Sequence, residues 1–353
     1  MTRIDGLHVS DGGSGGVPVV FLHGLGSDAS CWDAQLTHFR ATRRAVAYDA
    51  RGHGQSDRAR EYTIAGLTED LDRVVTALGI GRFWLVGHSF SGLIVSSYAG
   101  QHPEKLAGLV YVDAVGDASG APAGVKEYFR KHDEGMTPER LQEAYEKMLG
   151  PKAKPETRRR ILASAARLDL PAFASLRGQM GDFHAADAVA RFPGPKFAIE
   201  AEAPPNPVTA SRLPGVQNRP PIPGVSHWLM LDDQGAEVSL PAGWKTQNPF
   251  GSTYFAAQAM AAEMSTGAPA LWFIEQSGEK VSSLVTGISA KFTKKATSEA
   301  RFVFSDGSAM RAAIEQAVKT GEPVVYTARS IGTQRDGTQV ADFTVEWSFK
   351  KKS

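Results

Sequence analysis

The chain has almost no cysteine. Its 353 residues include one, Cys31, so no intrachain disulfide can form. Cys31 stands beside Trp32 and reads as a small packing residue, because no catalytic role is left vacant for a thiol. A charge imbalance is also missing. The 39 Lys and Arg balance 38 Asp and Glu to a formal net charge of +1, so bulk charge gives no reason to expect nucleic acid or an anionic membrane. No apolar run approaches the ~20 residues of a membrane span. The opening MTRIDGLHVSDGGSGG holds no apolar stretch of signal-peptide length. The expectation is a cytoplasmic protein with neither nucleic acid nor membrane as partner. The FKKK stretch from Phe349 reads as a solvated terminus.

What is present is enough chain for two cores. Four short apolar runs end in Gly-containing turns or an acid: VPVVFLHG from Val17, AVAYDARGHGQSD from Ala45, FWLVGHSFSG from Phe83 and LAGLVYVDA from Leu106. Between the second and third, Leu67, Leu71, Val74, Val75 and Leu78 share a helical face and Gly79 supplies a stop. Apolar strands alternating with helices predict an α/β domain, a parallel sheet covered on both faces, over residues 1–234. From about Asp117 to Arg191 the strand rhythm stops. Thr137 is an N-cap with Pro138 at N1, Leu141, Ala144, Tyr145, Met148 and Leu149 form a stripe, and Glu156 to Leu168 reads as a further helix. This helical insertion is a candidate lid or an extra packing layer.

Functional groups of such sheets gather beyond the carboxyl ends of the strands. GHSFSG sets Ser89 between an apolar strand and a helix, the strand–turn–helix context of a nucleophile elbow, with small Gly87 and Ser91 two residues to either side. HGLG, His23 to Gly26, follows the first long strand. Late in the chain, PGVSHWLMLDD places His227 directly after a Pro/Gly-rich loop, as a base following its nucleophile would stand.

These motifs, in this order, resemble the alpha/beta-hydrolases over about Arg3 to Asp233. The resemblance implies an oxyanion hole from the backbone N–H groups of Leu25 and Phe90. It also implies structural roles for His23 and His53, and His227 as the base of a Ser-His-acid triad. The family's usual acid position, after the strand PKFAIEAEAPPN, falls at about Pro204, with Glu200 and Glu202 displaced from it. Some relatives, haloalkane dehalogenases among them, take the acid from the earlier strand end, which here is Asp113. Asp113 is favoured, with Glu202 as the alternative. A serine nucleophile sets aside dehalogenase and epoxide-hydrolase chemistry and suits ester, thioester, lactone or carbon–carbon bond hydrolysis. No cofactor and no metal are expected.

After Gly235 the pattern changes. VADFTVEWSFKKK alternates strictly, with Phe343, Val345, Trp347 and Phe349 on one face. An Asp-Gly turn at Arg335 to Thr338 joins it to PVVYTARSI, a hairpin signature. GISAKFT and EARFVF add strands, and helical patterns cover Ser252 to Met264 and Ser308 to Thr320. Residues 235–353 thus form an α+β module. The stretch NPFGSTYFAAQAMAAEMSTG and the strands after it resemble hotdog-fold, acyl-CoA thioesterase-like proteins. There, an N-x-x-G turn opens the central helix and an acid lies twelve residues past the glycine. Asn248, Gly251 and Glu263 match, while the histidine often found after that glycine is absent. The resemblance implies a homodimer through this domain, and either a second catalytic site or a purely acyl-binding or dimerising module.

At the seam, LMLDD would ordinarily lead into an amphipathic helix that packs on the hydrolase sheet. GAEVSLPAGW follows instead and reads as a strand, with Val238 and Leu240 on one face and Pro241 ending it. The expected protein is a two-domain hydrolase acting on a small acyl ester or thioester. The rival reading is a degenerate hydrolase half beside a working thioesterase half.

Overall fold

A parallel sheet buried on both faces needs strands that are apolar throughout. In the computed structural model, Val19–Leu22 (β3) and Ala45–Tyr48 (β4) are buried at every position. The structure describes residues 2–121, 127, 131, 133, 135–203, 206–219, 221–222, 225–232 and 235–352. The chain divides into two compact units, Met1–Asp232 and Asp233–Ser353.

The first unit is built on one sheet. Thr2–Ile4 (β1) and Leu7–Gly12 (β2) form an antiparallel edge beside β4. Beyond it run β4, β3, Phe83–His88 (β5), Leu106–Val112 (β6), Lys196–Ile199 (β7) and Gln217–Asn218 (β8), all parallel. The chain leaves β3 for β4 on one side, then crosses to β5 on the other. The winding therefore reverses between β3 and β5, and their carboxyl ends flank the crevice where doubly wound sheets bind ligands. Helices Asp33–Arg40 (α1), Ile64–Ala77 (α2) and Ser91–Gln101 (α3) follow β3, β4 and β5. Leu67, Leu71, Val74 and Val75 are the buried stripe of α2, and the Thr63 hydroxyl caps it by accepting from Gly66 N.

Between β6 and β7 the described residues form helices: Pro138–Leu149 (α4), Pro155–Ala165 (α5), Leu170–Gln179 (α6) and Ala185–Ala190 (α7). Thr137 caps α4 by accepting from Arg140 N, and Leu141, Tyr145 and Leu149, spaced four apart, are its buried face. One turn of helix, Leu229–Asp232 (α8), closes the unit.

In the second unit the five strands are Ala236–Leu240 (β9), Val281–Phe292 (β10), Ala300–Phe304 (β11), Val324–Gln334 (β12) and Gln339–Lys351 (β13). They form one antiparallel sheet in the order β10-β13-β12-β11-β9. The segment after α8 is thus an edge strand, with Val238 opposite Phe302, and not a helix. Helices Phe255–Gln276 (α9) and Gly307–Thr320 (α10) bury Ala261, Ala262, Phe273, Met310 and Ile314 against Phe302, Phe343, Val345, Trp347 and Phe349. An antiparallel sheet with one long apolar helix is consistent with a hotdog fold.

Two details differ from the sequence expectation. The helix expected to end at Met264 runs twelve residues further, through Pro269. That proline removes one helical donor, at a cost of about 3 kcal/mol, but Ala270 and Phe273 beyond it are buried in the core, and their burial sustains the helix. The terminal FKKK is also not loose: Phe349 is buried in β13, and Lys351 lies opposite Val281 with its ammonium 3.0 Å from Glu279.

Candidate active site

Strand β5 ends at His88 and α3 begins at Ser91, so Ser89 and Phe90 make the whole turn. Ser89 has φ +54, in the left-handed region that non-glycine residues seldom occupy. Such a turn leaves no room at Gly87, where a Cβ would lie 2.6 Å from Val95 Cγ2 and 2.9 Å from Ser91 O. Ser91, where the family commonly has glycine, does more than fit. Its hydroxyl donates to His23 O at 2.5 Å and so ties the turn after β5 to the loop after β3.

His227 lies across the crevice. Its Nε2 is 2.8 Å from Ser89 Oγ and its Nδ1 is 2.6 Å from Asp113 Oδ2. Asp113 follows β6 with φ +42. Its N–H donates to Ile199 O at 2.7 Å, and its Oδ1 accepts from Ala201 N at 3.3 Å. The alternative acid, Glu202, lines the same cavity but turns to solvent: it is 65% exposed, with Oε2 4.0 Å from Lys152 Nζ. Pro204, at the family's usual acid position, lies outside the described residues.

Leu25 and Phe90 follow the two strands that flank the crevice, and both line the cavity that contains Ser89. Among the described residues neither N–H donates to another group of the chain. The Leu25 loop is held on both sides. His23 Nε2 accepts from Ala50 N at 2.9 Å, which leaves its Nδ1–H to donate to Gly24 O at 2.8 Å. His53 is buried beside His23, and burial drives its imidazole down to about 3. It is therefore a neutral packing group.

His88 was not singled out in the sequence. It is buried, with its ring 4.6 Å from that of His227, and its Nε2 lies 2.9 Å from His227 O. Burial, reinforced by the neighbouring His227, holds His88 well below the usual imidazole range, so it stays neutral and donates to that carbonyl. The backbone of the base is thereby anchored to the residue before Ser89.

A cavity of about 580 Å³ opens over Ser89 and His227, walled by Leu25, Tyr145, Met148, Leu149, Phe173 and Trp228. Its size is that of a small-molecule site, and its wall is predominantly apolar. Arg177, which reaches the same cavity, has Nε 2.9 Å from Asp133. Among the described residues no cluster of His, Cys, Asp and Glu has the makings of a metal site, and no helix is long and apolar enough to cross a membrane.

The model of the alpha/beta hydrolase family matches residues 19–239, more than half of the chain. The chain belongs to the alpha/beta hydrolase family. A second model, described as a domain of unknown function (DUF4442), matches residues 218–349, so the two overlap across the seam at β9. Among solved structures, the chain is similar to a carboxylesterase of Nitrososphaera gargenis (TM-score 0.54, 21% identity, 64% of this chain and 88% of that one). It is likewise similar to the enol-lactonase of Burkholderia xenovorans LB400 (TM-score 0.54, 20% identity, 64% and 92%). At these identities the likeness is one of fold. Among curated proteins, it is 34% identical over 106 residues to the dihydrolipoyllysine-residue acetyltransferase component of the acetoin cleaving system of Pseudomonas putida, covering 30% of this chain and 29% of that protein. It is 36% identical over 115 residues to a Caulobacter vibrioides protein, RutD, that carries the name of a carbamate hydrolase, covering 31% and 43%. The matches thus span less than half the length of these relatives.

In the second unit, Asn248 and Gly251 do form a turn. Asn248 Oδ1 accepts from Phe250 N and Ser252 N, Gly251 N donates to Asn248 O, and Gly251 has φ +70. The Asn248 amide is thus spent on the turn. Glu263 is half-buried in the middle of α9, not at the helix end its sequence position suggested, because α9 continues to Gln276.

Proposed function

We propose that the first unit is a serine hydrolase that cleaves an ester or thioester of a small, largely apolar acyl group through an acyl-enzyme. The observation that carries this reading is the unbroken relay Ser89 Oγ–His227 Nε2–His227 Nδ1–Asp113 Oδ2, at 2.8 and 2.6 Å. Ser89 Oγ attacks the carbonyl carbon while His227 Nε2 takes its proton. The new negative oxygen lies between the N–H groups of Leu25 and Phe90. The tetrahedral intermediate collapses as His227 returns the proton to the departing alcohol or thiol. His227 then deprotonates a water that releases the acid from Ser89. Asp113 keeps the proton of the imidazole on Nδ1 and balances the charge the ring acquires. The apolar cavity favours a neutral acyl chain. The names of the carboxylesterase and enol-lactonase of like fold support an acyl–oxygen bond as the target.

Ser89→Ala tests this on p-nitrophenyl esters of increasing chain length. Hydrolysis should fall by at least ~10³ with the fold intact. Undiminished turnover would refute it.

For the second unit we propose self-association. Among the described residues strand β10 pairs only with β13, and its Ile288 and Phe292, on the same face as Val345 and Ala341, are 50% and 47% exposed. An unpaired edge strand of this length is a template for pairing with another chain, and a second copy of the same unit is the occupant the sequence resemblance implies. Ile288→Lys should shift the mass in light scattering from dimer to monomer; an unchanged mass would refute it. The thioesterase alternative puts the chemistry on Glu263 as a general base. It requires Glu263→Gln to abolish acyl-CoA hydrolysis and Ser89→Ala to spare it.

A further inference from the structure

The helical insertion makes polar contacts to the loop after β3 at Asp28, from Ser164 and Arg167, and at Leu25, where the contact falls on the peptide that follows the first oxyanion donor. We propose that Tyr145 is a positioning residue that sets the orientation of the Leu25 N–H, so that the helical insertion and the oxyanion hole are assembled together. The inference rests on the reading of Ser89 as nucleophile.

Tyr145 sits between Leu141 and Leu149 on the buried stripe of α4 and is itself 2% exposed. Its hydroxyl donates to Leu25 O at 2.5 Å. Burial pushes the phenol far above its ordinary range, so it remains a donor. The next residue, Gly26, has φ +70, and a Cβ there would fall 2.0 Å from the Tyr145 oxygen. The loop is therefore folded around the hydroxyl, in a conformation and a space that only glycine allows.

Upstream of Leu25 the chain is fixed by His23 and by Ser91. Downstream, Ser27 N donates to Gly24 O at 3.0 Å and the Ser27 hydroxyl accepts from Trp228 Nε1 at 2.9 Å. The peptide from Leu25 to Gly26 lies between these anchors, and Tyr145 holds its carbonyl. The Tyr145 ring also packs 5.9 Å from Trp228, the residue after His227. One side chain of α4 thus touches the loop of the oxyanion donor and the loop of the base.

Without the hydroxyl, the part-buried Leu25 O loses that donor and the Leu25–Gly26 peptide is free to turn; the Leu25 N–H, on the Gly24–Leu25 peptide held at Gly24 O by His23 and Ser27, then shifts through the backbone bonds at Leu25. Complete loss of one oxyanion donor costs ~10²–10³ in rate. Misorientation without loss should cost part of that, about 10- to 100-fold. It should appear in kcat and not in KM, because the donor engages the developing oxyanion more strongly than the ground-state carbonyl.

The test compares Tyr145→Phe with Leu141→Ala, a cavity one turn earlier on the same buried stripe, in the full chain. Kinetics on p-nitrophenyl butyrate are read beside the affinity for a butylboronic acid, whose tetrahedral adduct on serine needs the oxyanion hole. Tyr145→Phe should lower kcat 10- to 100-fold with KM within about twofold, and weaken boronate binding by a similar factor. Leu141→Ala should lower the melting temperature more and kcat less. A kcat within twofold of wild type in Tyr145→Phe would overturn the inference. Equal kcat losses in the two variants would also overturn it, since the effect would then be loosening of α4. Failure of the underlying reading looks different: in that case Ser89→Ala retains wild-type turnover.

Discussion

Asp113→Asn is nearly isosteric, and asparagine tolerates the left-handed φ of +42 at this position as readily as aspartate does. The consequence follows from hydrogen-bond direction. One oxygen of Asp113 accepts from Ala201 N and the other from His227 Nδ1–H. Asparagine has one carbonyl oxygen and must keep it toward Ala201 N–H, which can only donate. Its NH2 then faces His227 Nδ1. An N–H cannot meet an N–H at 2.6 Å, so the imidazole takes the other tautomer, with its proton on Nε2 toward Ser89. In that form His227 cannot accept the Ser89 proton. Loss of the correct tautomer in such a triad costs ~10⁴ in kcat, about 5 kcal/mol of barrier. Steady-state ester hydrolysis should show this loss with KM little changed and the melting temperature within a few degrees. Glu202→Gln, assayed in parallel, should change kcat by less than about threefold. An Asp113→Asn enzyme with more than a tenth of wild-type kcat would refute the argument, as would a 10³-fold loss in Glu202→Gln.

Two stability predictions follow from the same geometry. Ser91→Ala removes the donor to the buried His23 carbonyl and should cost about 1–3 kcal/mol, read as a lower midpoint in thermal unfolding; an unchanged midpoint would show the contact to be dispensable. Asp28 is buried, which opposes its charge. Donors from Ser30, Ser164 and Arg167 outweigh burial and hold its carboxyl down to about 2. A depressed folded pKa means this stabilisation is present above about pH 4 and is lost as the pH falls through about 2. It amounts to roughly 2 kcal/mol. Asp28→Asn should therefore lower the urea midpoint at pH 7 and flatten its decline between pH 5 and 2; an unaltered pH profile would contradict the assignment.

Several elements were legible because local rules suffice to specify them. Apolar tetrads with glycine turns mark β3 and β4, the N-cap at Thr137 marks α4, and strict alternation marks β13. Small residues around Ser89 announced a tight turn, since the crowding at Gly87 comes from residues close in sequence. Other features depend on contacts between distant segments and left no local trace. The bond from Ser91 to His23 reads in the sequence only as a departure from glycine, and its partner lies 68 residues away. His88 looks like any strand-end histidine until the His227 carbonyl arrives opposite it. Tyr145 reads as one more member of a helical stripe, because nothing in the stripe distinguishes the residue whose hydroxyl meets Leu25. The length of α9 was hidden for another reason. Pro269 is a local stop signal, and burial of Ala270 and Phe273 overrides it. The choice between Asp113 and Glu202 turned on strand ends. The register of β6 beside β7 places Val112 level with Ile199, which brings Asp113 within reach of the base.

The central claim is that an acyl group passes through Ser89. Rapid-quench intact-mass spectrometry during turnover of a p-nitrophenyl ester measures this directly. A transient mass increase equal to the acyl group is expected, located by peptide mapping on Ser89 and absent in Ser89→Ala. Steady turnover with no adduct at any quench time, retained in Ser89→Ala, would contradict it.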